Sequence, residues 1–96
     1  MDIAFIWDEN KNKNNKRKHN ISFEEAKSVF YDEYARMIYD TAHSRDEDRF
    51  VILGMSDRLR ILVVCHCFRE KDQVIRIISA RKASKNEEKK YYEKRI

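Results

Sequence analysis

Val-Ile-Arg-Ile-Ile-Ser-Ala-Arg-Lys-Ala, residues 74–83, is the stretch around which the chain is built. Apolar, mostly β-branched residues dominate its first half, which predicts a strand buried in a sheet. Arg76 stands inside this apolar run, where a guanidinium needs a partner. Arg81 and Lys82 follow at its end, directly before a helix start. Such a strand is a rigid support for cations, and we expect it to direct arginines at a phosphate backbone.

The composition of the chain fits one small folded domain. We expect its 96 residues to form a single domain, residues 1–96. Charged residues make up 40% of the chain, but the apolar residues cluster in defined runs, which favours a folded domain over disorder. The net charge of +4 favours a polyanionic partner or an acidic protein partner.

Membrane segments, disulfides and metal sites are not expected. No apolar run reaches the roughly 18 residues of a membrane span, and the N-terminus lacks the pattern of a signal peptide. Cys65 and Cys67 stand two apart on a predicted strand, so they face the same way but cannot close a relaxed disulfide. His66 faces the other side, which argues against a zinc site. We therefore expect a cytoplasmic protein without metal or cofactor.

Capping signals mark three helix starts. Asp8 precedes a helix over residues 9–18. The motif Ser22-Phe-Glu-Glu25 is a capping box, in which serine and glutamate side chains each accept from the other's backbone amide. The motif Ser84-Lys-Asn-Glu87 is a second box, and we expect its helix to run to about Arg95. This closing helix has few aliphatic residues and is expected to dock loosely, or to dock on a partner.

The first predicted helix contains no apolar residue and is strongly basic. Its cations are Lys11, Lys13, Lys16, Arg17 and Lys18. A helix without an apolar face lies on the surface or is marginal. The like charges repel one another, so the run is either a solvated surface or a rim that binds nucleic acid or a protein partner.

Short turns between successive strands predict an antiparallel meander. The predicted strands are residues 3–7, 36–40, 49–53, 60–68 and 74 onward. With two N-terminal helices and a C-terminal helix, the fold class is α+β. The meander places Arg60 and Arg81 at the same end of the sheet, together with Arg58 and Lys82. That cluster is suited to clamping a phosphate.

A second group of charged residues falls at the opposite end of the sheet. It contains His43, Glu47, Arg49 and Arg69. Strand alternation puts Arg76 on the other face from Arg81 unless a bulge intervenes. For Arg49 and Arg76 an alternative to substrate binding is a structural ion pair, with Asp40 or Glu47 as the acidic partner.

Several short motifs resemble, in order and spacing, those of the BrnT toxin family. They are Trp7-Asp8, Lys11, Asn15, Lys18-His19, Ser22–Ala26, Asp40, His43-Ser44, Glu47-Asp48-Arg49, Gly54, Ser56 and Arg76–Ala83. The resemblance implies a RelE-like fold and the toxin half of a type II toxin–antitoxin pair. It further implies a ribonuclease that halts translation and a BrnA antitoxin with a ribbon-helix-helix DNA-binding domain. The complex would then repress its own operon by binding operator DNA.

Two residues depart from the family pattern. Asn20 replaces a glycine after the first helix, a position where asparagine tolerates the left-handed conformation. Leu59 replaces a turn glycine before Arg60. Leucine is less tolerant of a positive φ, so the direction of Arg60 depends on this turn.

The expected reaction is metal-independent RNA cleavage by attack of a ribose 2′-hydroxyl on the adjacent phosphate. Arg60 and Arg81 would hold the phosphate and stabilise its developing charge. His43 is the acid–base candidate, because histidine exchanges a proton near neutral pH. Glu47 is the alternative base. Further substrate-binding candidates are Arg49, Arg58, Arg76, Lys82 and Lys18.

The other two histidines have structural explanations. His19 follows a helix end and can satisfy carbonyls there, and His66 lies within a strand. Two other functions fit the same composition. One is a non-catalytic module that binds RNA or DNA, and the other is a protein-binding subunit with the basic helix as its docking surface.

Overall fold

A five-stranded mixed sheet forms the centre of the computed structural model, which describes residues 3–93. The strands are β1 (Ala4–Ile6), β2 (Arg36–Tyr39), β3 (Phe50–Met55), β4 (Ile61–Arg69) and β5 (Val74–Lys82). Their spatial order is β1-β5-β4-β3-β2. Strands β2 to β5 are antiparallel neighbours, which confirms the meander, and β1 lies parallel to β5 at one edge.

Three α-helices accompany the sheet, so the α+β class is confirmed. They are α1 (Glu9–His19), α2 (Phe23–Ser28) and α3 (Lys85–Glu93), and two short 3₁₀ turns span Val29–Tyr31 and Thr41–His43. The Asp8 carboxylate accepts from the amides of residues 10 and 11, as its capping role predicts. Asn20 ends α1 with a φ of 58°. The expected end of α3 at Arg95 lies outside the described residues.

The two expected capping boxes differ. In α3 the box is complete, since the Glu87 amide donates to Ser84 Oγ (3.2 Å) and the Ser84 amide donates to Glu87 Oε1 (2.8 Å). In α2 the Glu25 amide donates to Ser22 Oγ (3.1 Å), but the return bond is not made. The Glu25 carboxylate instead binds Arg60 and Ser56. The prediction of a reciprocal capping box at α2 is therefore wrong. The Glu25 carboxylate binds the Arg60 guanidinium instead of the Ser22 amide.

The core lies between the first two helices and one face of the sheet. Its members are Ile21, Phe23, Ala26, Val29, Ile52, Leu62, Val64, Ile75, Ile77 and Ala80. We call this the helix face. Val51, Val63, Cys65, Ser79 and Arg81 pair with one another across the strands and alternate with core residues. They form the opposite face, which we call the cavity face.

A β-bulge separates the two halves of β5. Cys65 pairs with Ser79 and His66 pairs with Ile77, so Ile78 has no partner on β4. The extra residue interrupts the alternation of side chains. Arg76 and Arg81 consequently both belong to the cavity face, the arrangement that unbroken alternation would not allow.

Helix α3 docks firmly, contrary to the expectation of loose docking. Tyr91 is only 1% exposed, and its hydroxyl donates to Asp32 Oδ2 (2.6 Å). The same carboxylate oxygen accepts from the Met55 amide (2.8 Å). Arg36 Nη1 donates to the Lys90 carbonyl (2.9 Å). The buried Tyr91 ring and these hydrogen bonds hold α3 against the domain, although the helix has few aliphatic residues.

The turn between β3 and β4 forms despite its leucine. Leu59 has a φ of 61°, the left-handed conformation in which a glycine is expected. Its amide donates to the Ser56 carbonyl (2.9 Å), and the Ser56 amide donates to the Arg60 carbonyl (2.8 Å). This is the usual three-residue hairpin loop, a turn followed by a left-handed residue. The turn therefore places Arg60 opposite Ser56, directly before β4.

Candidate functional site

A cavity of about 550 Å³ lies on the cavity face of the sheet. Its walls include His43 from a 3₁₀ turn, Arg49 before β3, Arg81 from β5 and His19 from the end of α1. Two guanidinium groups and two imidazoles thus share one concave surface. Such a surface combines charge that binds a phosphate with groups that exchange protons.

His43 is held by a carboxylate. Its Nδ1 lies 3.0 Å from Asp40 Oδ2, and Asp40 is itself largely buried, with 16% of its side chain exposed. An ionised carboxylate only accepts hydrogen bonds, so Nδ1 must carry the proton. The neutral ring then has its lone pair on Nε2. His43 is 68% exposed as a side chain, which leaves the rest of the ring accessible.

Arg81 is oriented by α3. Its Nη1 and Nη2 donate to Glu87 Oε1 (2.8 Å) and Oε2 (3.0 Å), a bidentate pair. The hydrogen bond from Arg81 lowers the pKa of Glu87 to about 2, and it raises the pKa of Arg81. Helix α3 therefore fixes the direction of Arg81, the residue before the last one of β5. About half of the Arg81 side chain remains exposed.

Glu47 is surrounded by arginines. Its carboxylate lies 2.5 Å from Arg76 Nη2, 3.1 Å from Arg69 Nη2 and 3.5 Å from Arg49 Nε. Arg49 and Arg76 therefore both make the ion pair that the sequence suggested, with Glu47 as the shared acid, and Arg49 also lines the cavity of about 550 Å³. The three guanidinium groups contact both oxygens of this carboxylate, which leaves it poorly placed to act as a general base. The geometry instead fits Glu47 as the residue that positions Arg49.

Arg60 does not reach the cavity. Its Nε donates to Glu25 Oε2 (2.9 Å), its Nη2 donates to the Asn20 carbonyl (3.1 Å), and a second contact joins Nη2 to Glu25 Oε1. The hydrogen bond from Arg60 lowers the pKa of Glu25. Arg60 lies two residues before Leu62, on the helix face, while Arg81 pairs with Val63 on the cavity face. The expected Arg60–Arg81 clamp is therefore wrong: the two side chains share one end of the sheet but not one face.

The remaining predicted cations lie apart from the cavity. Lys82 pairs with Leu62 and lines a separate cavity of about 340 Å³ with Arg60. Arg58 is exposed in the turn before β4. Lys18 is exposed in the last turn of α1, next to His19. The structure brings together His43, Arg49 and Arg81 of the predicted set.

His19 is the cavity residue for which sequence reasoning gave a different explanation. Capping of α1 is provided by Asn20, whose amide donates to the Lys16 carbonyl (2.9 Å), so the imidazole is not needed for it. A sequence signal exists in the spacing of Asn15 and His19, which stand four apart on one side of the helix. This spacing indicates that His19 lies at the cavity only when Asn15 is known to contact Ala80 of β5.

His66 and the two cysteines belong to the sheet rather than to an acid–base site. His66 is fully buried, with its ring against Phe30, Phe50 and Phe68. Burial lowers its pKa. Both cysteines are free thiols. Within residues 3–93, no group of three His, Cys, Asp or Glu side chains could hold a metal ion.

Another cavity, of about 510 Å³, suits a phosphate less well. It is lined by the carboxylates of Glu47, Asp48 and Asp72 and by one cation, Arg69. Arg69 is already paired with Glu47. Because the net charge of these side chains is negative, this cavity suits an anion less well than the cavity lined by Arg49 and Arg81.

No helix in the described part of the chain has the length and apolar character to cross a membrane. A family model described as "Ribonuclease toxin, BrnT, of type II toxin-antitoxin system" matches residues 7–87. A similar solved structure is the ribonuclease toxin BrnT of Brucella abortus, with 26% identity and a TM-score of 0.68. The match covers 86% of this chain and 99% of that one. No curated protein matches the chain.

Proposed function

Since the chain belongs to the BrnT family of ribonuclease toxins of type II toxin–antitoxin systems, we propose that it cleaves RNA in the cavity between His43 and Arg81. The observation that carries this proposal is the Asp40-held imidazole in the same cavity as two guanidinium groups. An oriented base and fixed cations are what phosphodiester cleavage requires.

The proposed reaction uses the 2′-hydroxyl of the substrate as nucleophile. Its oxygen forms a bond to the adjacent phosphorus, and the bond from phosphorus to the 5′-oxygen breaks. The products are a 2′,3′-cyclic phosphate and a free 5′-hydroxyl. Because the nucleophile comes from the RNA itself, the reaction as proposed draws on no metal ion.

His43 is the general base of this proposal. With a proton on Nδ1, its Nε2 accepts the proton of the 2′-hydroxyl. The imidazolium that forms faces the Asp40 carboxylate at 3.0 Å, which stabilises the new charge. Such an oriented base contributes about 10²- to 10⁴-fold to the rate.

Arg49 and Arg81 are the proposed phosphate-binding cations. The phosphorane gains negative charge as the 2′-oxygen attacks, and guanidinium donors already in place stabilise it without rearranging. Glu47 positions Arg49, and Glu87 positions Arg81. Arg60, which the sequence placed in this role, becomes part of the contact between α2 and the sheet.

The finer features implied by the family complete the proposal. We propose that residues 1–96 act as a single RelE-like domain in the cytoplasm and that RNA cleavage arrests translation and growth. A BrnA-type ribbon-helix-helix antitoxin would neutralise the toxin, and the complex would bind operator DNA through the antitoxin. Induced expression with and without the neighbouring gene, followed by mapping of RNA ends, tests this part.

Substitution of Arg81 tests the site itself. Arg81→Ala should lower RNA cleavage by about 10²- to 10³-fold, because it removes one donor to the developing charge. Circular dichroism should show the fold unchanged. Lys89→Ala removes an exposed cation of α3 outside the cavity and serves as the matched control.

Two results would contradict the proposal. A folded Arg81→Ala protein with undiminished cleavage would remove Arg81 from the reaction. Wild-type protein that binds RNA with strong salt dependence but leaves it intact would be a binding module instead.

A further inference from the structure

We infer that His19 is the second proton-transfer residue of the site, the acid that protonates the leaving 5′-oxygen. This inference rests on the proposed cleavage of RNA and adds to it a catalytic residue. Three observations support it. Helix α1 is hydrogen-bonded to β5, the His19 ring has no hydrogen-bond partner among residues 3–93, and the other side chains of the cavity are poor acids.

Helix α1 is pinned to β5 by one buried amide. Asn15 Nδ2 donates to the carbonyls of Ala80 (2.8 Å) and Ile21 (2.9 Å), and Asn15 Oδ1 accepts from the Ala80 amide (3.1 Å). Asn15 is only 6% exposed. Both backbone groups of the residue before Arg81 are thus bound by α1. The last turn of the helix has a fixed position beside the phosphate-binding arginine.

His19 stands one helical turn after Asn15. Residues four apart lie on the same side of a helix, so the contact with Ala80 brings His19 to the same strand end. His19, Ala80 and Arg81 accordingly all line the cavity. Among residues 3–93, no hydrogen bond or ion pair engages the His19 ring. A positioned and unengaged imidazole is available to a substrate.

The other cavity residues are poor acids for the leaving oxygen. His43 is committed as base, because the Asp40 carboxylate holds its proton on Nδ1. Burial raises the pKa of the Cys65 thiol. The Tyr39 hydroxyl donates to Asp48 Oδ1 (3.0 Å). His19 is the remaining imidazole of this wall, and an imidazole can donate and accept a proton at its ring nitrogens.

The proton balance of the step then closes. His43 Nε2 takes the proton of the 2′-hydroxyl as the bond from the 2′-oxygen to phosphorus forms. The His19 imidazolium gives its proton to the 5′-oxygen as the bond from that oxygen to phosphorus breaks. His43 ends protonated and His19 ends neutral, and exchange with water restores both. Two histidines on separate elements suit an in-line displacement, in which attacking and leaving oxygens lie on opposite sides of phosphorus.

A substrate with sulfur in place of the bridging 5′-oxygen tests the role of His19. A thiolate leaves without protonation, so this substrate needs the base but not the acid. We expect His19→Ala to cleave ordinary RNA about 10²- to 10⁴-fold more slowly than wild type. On the sulfur-bridged substrate the same variant should be within a few-fold of wild type. His43→Ala should be slow on both substrates.

The controls separate this inference from the proposed function. Lys13→Ala, an exposed α1 substitution two residues from Asn15 and outside the cavity, controls for changes to the helix. Undiminished cleavage of ordinary RNA by His19→Ala would overturn the role of His19, as would equal losses on both substrates. If wild-type protein cleaves neither substrate, the proposed function itself fails.

Discussion

Two buried side-chain amides, those of Asn12 and Asn15, hold helix α1 in place of the usual apolar stripe. Helix α1 has no apolar residue, and the sequence therefore predicts a surface-lying or marginal helix. Asn12 and Asn15 are nevertheless both 6% exposed. Asn12 Oδ1 accepts from the Phe23 amide (2.8 Å), and Asn15 binds Ala80 and Ile21. The helix docks through buried hydrogen bonds, which hydrophobic periodicity cannot detect.

Replacement of Asn15 should therefore destabilise the protein. Asn15→Leu keeps the number and branching of the side-chain heavy atoms but leaves the amide and carbonyl of Ala80 without their partners. We expect the free energy of unfolding to fall by about 2–4 kcal/mol, since each unsatisfied buried group costs about 1–3 kcal/mol. Urea unfolding measures this loss, with exposed Asn14→Leu as the control. A change below about 0.5 kcal/mol would show that the contact is not needed.

At the scale of the elements, helix α3 links the protonation state of Glu87 to Arg81, a residue of the cavity wall. The pKa of Glu87 is lowered to about 2 by its hydrogen bonds, first of all the one to Arg81. A carboxyl group whose pKa is lower in the folded state stabilises the protein above its unfolded value, here 4.5. That contribution is lost as the pH falls from about 4.5 toward 2.

Glu87→Gln should weaken the pH dependence of the free energy of unfolding between about pH 4.5 and pH 2. At pH 7 the variant should be less stable by about 1 kcal/mol, the upper range for a partly exposed pair. Below pH 4.5 its free energy of unfolding should fall less steeply than that of wild type. Chemical unfolding at a series of pH values provides the measurement. Parallel curves for the two proteins would refute the coupling. Glu25, whose pKa is also lowered, contributes equally to both curves.

The elements themselves were largely predictable from local signals. Asp8, Ser22 and Ser84 mark the three helix starts, and the short turns predict the antiparallel strands. The bulge at Ile78 and the docking of α3 were not predictable in the same way. Each depends on a partner distant in sequence: β4 in the first case, and Asp32 for Tyr91 in the second.

For the whole molecule, the two faces of the sheet separate Arg60, on the helix face, from Arg81, the arginine of the proposed site on the cavity face. Connectivity correctly placed Arg60 and Arg81 at one end of the sheet. The face of each arginine, however, depends on the bulge and on which carboxylate lies opposite. Glu25 on α2 binds one, and Glu87 on α3 binds the other. Short motifs thus located the charged residues of the site but could not assign them to one surface.

This separation predicts opposite effects for the two arginines. Arg60→Ala leaves the buried Glu25 carboxylate without its cation, and the free energy of unfolding should fall by about 3 kcal/mol. Its cleavage rate per folded molecule should stay close to wild type. Arg81→Ala should lose cleavage with a much smaller change in stability. Urea unfolding and RNA cleavage of both variants at low temperature provide the comparison. A folded but inactive Arg60→Ala protein would return Arg60 to the reaction.

The β-bulge at Ile78 also means that the chain cannot lose one residue at this point without changing which side chains share a face. Removing one residue between Ile77 and Ser79 would restore strict alternation along the strand, and every side chain on one side of the cut would turn over. Either Arg76 would then enter the apolar interior or Arg81 would leave the cavity wall. A substitution at this position keeps the register of both halves of the strand, whereas a single-codon deletion there turns one of the two cations to the other face.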